Sequence, residues 1–129
     1  MAGALRILYV EDEADIRTIA AMALRMVGGF EVIECSGGAE ALQRATQTEV
    51  DLLLLDVMMP GMDGPATLAA LRALEATATT PVIFMTAKVQ AAEVAHYHAL
   101  GALGVIGKPF DPMTLSSQIR DLWEGRIAA

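Results

Sequence analysis

Cysteine is nearly absent. Cys35 stands alone among 129 residues, which excludes an internal disulfide and fits a chain kept in the reducing cytoplasm. Basic residues are scarce as well: 9 lysines and arginines face 16 aspartates and glutamates, for a formal net charge of −7. No basic run or basic helix face gathers them, so direct binding to nucleic-acid backbones is excluded. Long apolar runs are also missing, and nothing approaches the roughly 20 residues that span a bilayer. The opening Met1-Ala-Gly-Ala-Leu-Arg6 has no basic region ahead of an apolar core, hence no export signal. The histidines, His96 and His98, lie two positions apart and do not share a helix face, which argues against a metal pair. Gly101, Gly104 and Gly107 do not form a dinucleotide loop.

What the chain has is apolar residues, 54% of the total, in segments whose period alternates. Leu5 to Val10 reads as a strand. Glu13 to Val27 carries a helical stripe of Ile16, Ile19, Ala20, Ala23, Leu24 and Val27, stopped by Gly28-Gly29. Phe30 to Cys35 is a second strand, and Ser36 is positioned to cap a helix over Ala39 to Thr46. Leu52 to Leu55 lacks alternation, as expected of a strand covered on both faces. Gly64-Pro65 opens a helix containing Leu68, Leu71 and Leu74, and Pro81 to Met85 is the fourth strand. A helix from Gln90 to Leu100 ends at Gly101. Leu103 to Ile106 is the fifth strand, and Asp111 caps a last helix reaching Glu124, with Leu115, Ile119, Leu122 and Trp123 on its apolar side. Five such β-α units predict an α/β fold, a parallel sheet with helices on both faces. No linker or repeat divides it, so residues 1–129 read as one domain with a structured core of about 5–125.

In a sheet of this kind, ligands sit beyond the carboxyl ends of the strands. Glu11 and Asp12 follow the first strand, Asp56 the third, Thr86 the fourth and Lys108 the fifth. Each has a plain alternative. A lone Asp is a turn former, a Glu-Asp pair compensates a helix dipole, a Thr suits a strand and a Lys suits the surface. Their convergence at successive strand ends is poorly explained that way. Three carboxylates at one edge also repel, by roughly 4 kcal/mol for a pair about 4 Å apart at a dielectric near 20, so a cation or a proton belongs there.

The motifs are Tyr9-Val-Glu-Asp12, Leu55-Asp-Val-Met-Met-Pro-Gly-Met-Asp-Gly64, Met85-Thr-Ala87 and Gly107-Lys-Pro-Phe110. Over nearly its whole length the chain resembles the receiver domain of bacterial two-component response regulators. That resemblance implies a flavodoxin-like five-stranded sheet in the order 2-1-3-4-5. It implies Asp56 as phosphoacceptor, supplied by a sensor histidine kinase or a phosphotransfer protein. Glu11, Asp12, Asp56 and the Met58 backbone carbonyl would hold Mg2+, for which Mn2+ can substitute. Thr86 would be the switch hydroxyl, Lys108 the phosphate-binding lysine, and the peptide before Pro109 cis. The family's usual aromatic on the fifth strand is replaced here by Val105; Tyr97 is the candidate substitute, with ordinary packing its plain alternative.

The resemblance places Met58 and Lys88 at positions that vary in the family and bear on acyl-phosphate lifetime. The resemblance also assigns the first helix to the phosphodonor, and the fourth helix, fifth strand and fifth helix to a downstream protein target or an output domain beyond Ala129. Chemotaxis-type single-domain receivers work by such docking. The protein would then be a regulatory phosphoacceptor, catalysing only its own phosphoryl transfer and dephosphorylation. Rival classes fit less well. A haloacid-dehalogenase-type phosphohydrolase wants a second Asp where Met58 stands, and a flavodoxin-like cofactor binder would not put Glu11-Asp12 in its phosphate loop. A receiver used only for protein contacts would not need the intact site.

Overall fold

The computed structural model describes residues 4–128, so Met1–Gly3 of the opening segment and Ala129 lie outside the described residues. Five strands, β1 (Arg6–Val10), β2 (Glu31–Cys35), β3 (Leu52–Asp56), β4 (Val82–Thr86) and β5 (Gly104–Gly107), form one parallel sheet in the order β2-β1-β3-β4-β5. The helices are α1 (Ala14–Met26), α2 (Gly38–Ala45), α3 (Gly64–Arg72), α4 (Ala91–Ala99) and α5 (Leu115–Ala128), with a 3₁₀ turn at Glu75–Thr77. The expected architecture and strand order are both present. No helix among the described residues is long and apolar enough to cross a membrane.

Alternation along the strands sorts the core into two layers. Leu8, Val10, Leu53, Leu55 and Phe84 face one way, against Ala41 and Ala45 of α2, Leu68 and Leu71 of α3, and Tyr97 of α4. Ile7, Tyr9, Leu52, Leu54, Ile83 and Met85 face the other, against Ala20 and Leu24 of α1 and Leu115 and Ile119 of α5. Strand β3 lies between β1 and β4, with its four leucines wholly buried. Each contributes about 2 kcal/mol relative to exposure. That burial anchors the strand carrying Asp56.

Four local expectations need correction. Ser36 does not cap α2: Gly37 takes the cap position, while the Ser36 N–H and hydroxyl donate to Glu40 Oε1 at 2.7 and 2.9 Å. The Glu40 carboxylate, one turn inside the helix, is the better acceptor for those donors. Leu74 falls outside α3, which ends at Arg72 before the 3₁₀ turn. Asp111 accepts from the Met113 N–H at 2.9 Å in a turn, and α5 proper begins at Leu115. Finally, the α1 stripe is only partly buried: Ala20, Ala23 and Leu24 are covered, whereas Ile19 and Val27 are half exposed. Helix α1 therefore presents a second apolar edge to solvent.

Candidate functional site

The parallel register brings the strand ends to one edge. Asp56 pairs with Met85, and Thr86 pairs with Gly107, so residues leaving β3, β4 and β5 emerge side by side. Glu11 leaves β1 next to them, its N–H still bonded to the Cys35 carbonyl at 3.0 Å. Glu11, Asp12 and Asp56 offer carboxylate oxygens that all lie within 4.8 Å of one another. Glu11 and Asp56 are buried and Asp12 half-buried. These are hard oxygen donors in the number and proximity that suit a divalent cation such as magnesium.

Lys108 closes the cluster. Its Nζ donates to Glu11 Oε1 at 2.7 Å and to Asp56 Oδ1 at 3.2 Å. The Lys108–Pro109 peptide is cis, as the resemblance implied. Burial, then the charge of Glu11, push the Asp56 carboxyl up from 3.8 to about 6, against the opposing pull of Lys108. Burial works against the Lys108 charge too, but the hydrogen bond it donates to Glu11 and the charges of the two neighbouring carboxylates outweigh it, and its pKa is raised. One cation thus balances only part of the negative charge gathered here.

Thr86 is buried at the end of β4, and its Oγ1 accepts from the Lys88 N–H at 3.1 Å. That bond leaves the hydroxyl hydrogen uncommitted. Beyond Asp56 the chain turns through Gly61, at φ 75°, a region open to glycine. Gly64 acts differently. A Cβ there would stand 2.7 Å from the Asp56 carbonyl oxygen and 2.9 Å from Val57 Cα, so its role is to let the start of α3 pass close to the strand end. Asp63 caps that helix by accepting from the Ala66 N–H at 2.9 Å, a cap the sequence reading missed although Asp-Gly-Pro is its signal. The Met58 side chain points to solvent at 70% exposure.

Val105 is partly buried opposite Phe84, whose ring lies 5.0 Å from that of Tyr97. An aromatic pair therefore sits beside the position lacking the expected aromatic. Sequence reasoning also missed Arg17, whose Nη1 donates to the Glu11 carbonyl at 2.7 Å. An arginine one turn into a helix gives no signal of that bond.

The sequence model of the response regulator receiver domain matches residues 7–120. The chain is 34% identical over 116 residues to YclJ, an uncharacterized transcriptional regulatory protein of Bacillus subtilis, covering 90% of this chain and 49% of that protein. It is 35% identical over 115 residues to the DNA-binding response regulator MtrA of Mycobacterium tuberculosis, covering 89% and 49% respectively. The chain spans about half the length of the curated relatives it matches. Among solved structures, the chemotaxis protein CheY4 of Vibrio cholerae superposes with a TM-score of 0.85 at 30% identity, over 93% of this chain and 99% of that one. The chain belongs to the response regulator receiver domain family, homologous to the phospho-accepting signalling domains of two-component systems.

Proposed function

We propose that Asp56 accepts a phosphoryl group from a sensor histidine kinase or a phosphotransfer protein, and that the resulting acyl phosphate changes which partner the protein binds. The observation that carries this reading is the single ammonium of Lys108 held between Glu11 and Asp56, at 2.7 and 3.2 Å, beside the half-buried Asp12. A carboxylate with a nearby movable cation suits attack on an anionic phosphorus.

In the transfer, an Asp56 carboxylate oxygen bonds to phosphorus as the P–N bond of the donor phosphohistidine breaks. The bonding pair returns to the imidazole nitrogen, which keeps it or takes a proton from water. At neutral pH the Asp56 carboxyl, pushed to about 6, is mostly ionised and able to attack. Lys108 shifts from the carboxylates to an oxygen of the arriving group, a compact charge on a flexible stem. Glu11, Asp12, Asp56 and the Met58 carbonyl would hold magnesium, or manganese in its place. When bound, the ion supplies positive charge to the phosphoryl oxygens. The protein is thus a regulatory phosphoacceptor that turns over only its own acyl phosphate.

The switch follows from Thr86. Its uncommitted hydroxyl hydrogen is available to a phosphoryl oxygen, and turning toward that oxygen disturbs the bond from Lys88, which heads the loop into α4. The face of α4, β5 and α5 is then the surface read by a protein target or an output domain. Tyr97 is suited to report the change because its ring already packs on Phe84. For the phosphodonor, the exposed edge of α1 offers an apolar groove of about 270 Å³ lined by Ile19, Met22, Met26, Pro112 and Met113. A neighbouring groove, of about 240 Å³, runs from Ile16 to Lys108 itself. With a net charge of −7, this domain is no reader of DNA backbones.

Beryllofluoride, a phosphoryl mimic, tests this reading. With Mg2+ the protein should give bound fluorine resonances by 19F NMR, and Asp56→Asn should give none. Equal binding by the variant would move the acceptor elsewhere.

A further inference from the structure

The peptide joining Glu11 to Asp12 is planar, so whatever fixes the Glu11 carbonyl also fixes the direction in which Asp12 leaves. At this point the chain has left the β1 ladder and no strand neighbour holds that carbonyl. Arg17 does, with Nη1 at 2.7 Å. Glu11 is then engaged on every side. Its N–H bonds the Cys35 carbonyl at 3.0 Å, Oε1 takes Lys108, and Oε2 accepts from the Glu13 N–H at 3.1 Å.

Arg17 is itself held. The side chain is 20% exposed, and Nε lies 3.9 Å from Glu34 Oε1. The other oxygen of Glu34 takes Arg25 Nη1 at 2.9 Å, while Arg25 Nη2 donates to the Val32 carbonyl at 3.0 Å. A guanidinium–carboxylate–guanidinium chain therefore fastens α1 to β2, and its inner end grips the loop bearing the two acids. The planar fork of arginine can serve a carbonyl and a carboxylate at once.

We propose that Arg17 is a positioning residue for the acidic cluster, setting Glu11 and Asp12 through their shared peptide without touching a bound ion. This rests on the reading of that cluster as a magnesium site. Partners one step removed from a ligand commonly change metal affinity by roughly 10- to 100-fold when lost. Charge alone acts in the opposite sense, because deleting a nearby cation should tighten the binding of another. The sign of the effect therefore separates positioning from electrostatics.

The test is calorimetric titration of the full chain with MgCl2, alongside urea unfolding. Arg17→Met keeps the apolar stem but loses the donor, and should bind Mg2+ roughly 10-fold more weakly while still unfolding cooperatively. Arg17→Lys, which can still donate to the carbonyl, should recover part of that loss. Arg25→Met, which breaks the outer link without reaching Glu11, should bind as the parent does. Unchanged or tighter binding by Arg17→Met overturns the assignment, as does an equal loss in Arg25→Met or no recovery in Arg17→Lys. Failure of Arg17→Met to fold would make Arg17 a structural residue and overturn it too. If the parent chain itself binds no Mg2+, the magnesium reading fails and this inference falls with it; if only the variants misbehave, that reading stands.

Discussion

Replacing Asp56 by Asn should stabilise the protein, by an amount that depends on pH in a defined way. Asp56 is 2% exposed, and burial with the Glu11 charge raises its pKa from 3.8 to about 6 in spite of Lys108. In the unfolded chain the same carboxyl ionises at its ordinary value. Folding therefore favours the protonated form. The stability it contributes is fully present below about pH 4 and drains away as pH rises to about 6, beyond which the loss is constant. At about 1.4 kcal/mol for each pH unit between 3.8 and about 6, the loss has a ceiling of about 3 kcal/mol.

Side-chain relaxation and water entry lower that figure, so about 1–3 kcal/mol is expected. Asn keeps the shape, carries no charge and can still accept from Lys108. Urea unfolding of both chains from about pH 4 to about pH 8, without divalent ions, measures the difference directly. It should be near zero at the acid end and reach its plateau, in favour of Asn, near neutrality. Added Mg2+ should narrow it, since the ion stabilises only the chain that binds it. An Asn variant less stable at neutral pH, or a difference indifferent to pH, would refute the reasoning.

Lys108→Ala should remain cooperatively folded, accept phosphoryl groups from acetyl phosphate roughly 100-fold more slowly, and bind Mg2+ more tightly by calorimetry, because two carboxylates lose their resident cation. Gly64→Ala should lose about 1–3 kcal/mol in a thermal melt, since its Cβ would meet backbone atoms at 2.7 and 2.9 Å; an unchanged melt would contradict that close approach. Beryllofluoride should alter the Tyr97 ring signals in a tyrosine-labelled NMR sample, and unchanged signals would remove Tyr97 from the switch.

The five β-α units and the carboxylate edge were legible in the sequence because period and punctuation determine them, whereas the strand order came with the family resemblance. The unbroken Leu52–Leu55 run could only be a covered strand, and the acids follow their strands directly. What escaped notice depends on three dimensions. As a cap the Ser36 hydroxyl would accept from a helix N–H, but in the folded chain it donates to Glu40 Oε1 and Gly37 takes the cap position. The α1 stripe looked uniformly core-facing, yet Ile19 and Val27 are half exposed in the folded chain. In the sequence Gly64-Pro65 signals only the opening of a helix, whereas Gly64 is required for space beside Asp56. The bond from Arg17 to the Glu11 carbonyl joins two groups of ordinary sequence, and only the folded loop brings them together.

Mass spectrometry after incubation with acetyl phosphate and Mg2+ tests the central claim most directly. One phosphoryl mass should appear on the peptide containing Asp56, require the divalent ion, and vanish in Asp56→Asn. Labelling that survives that substitution, or none in the parent chain under conditions where Mg2+ binds, would contradict it.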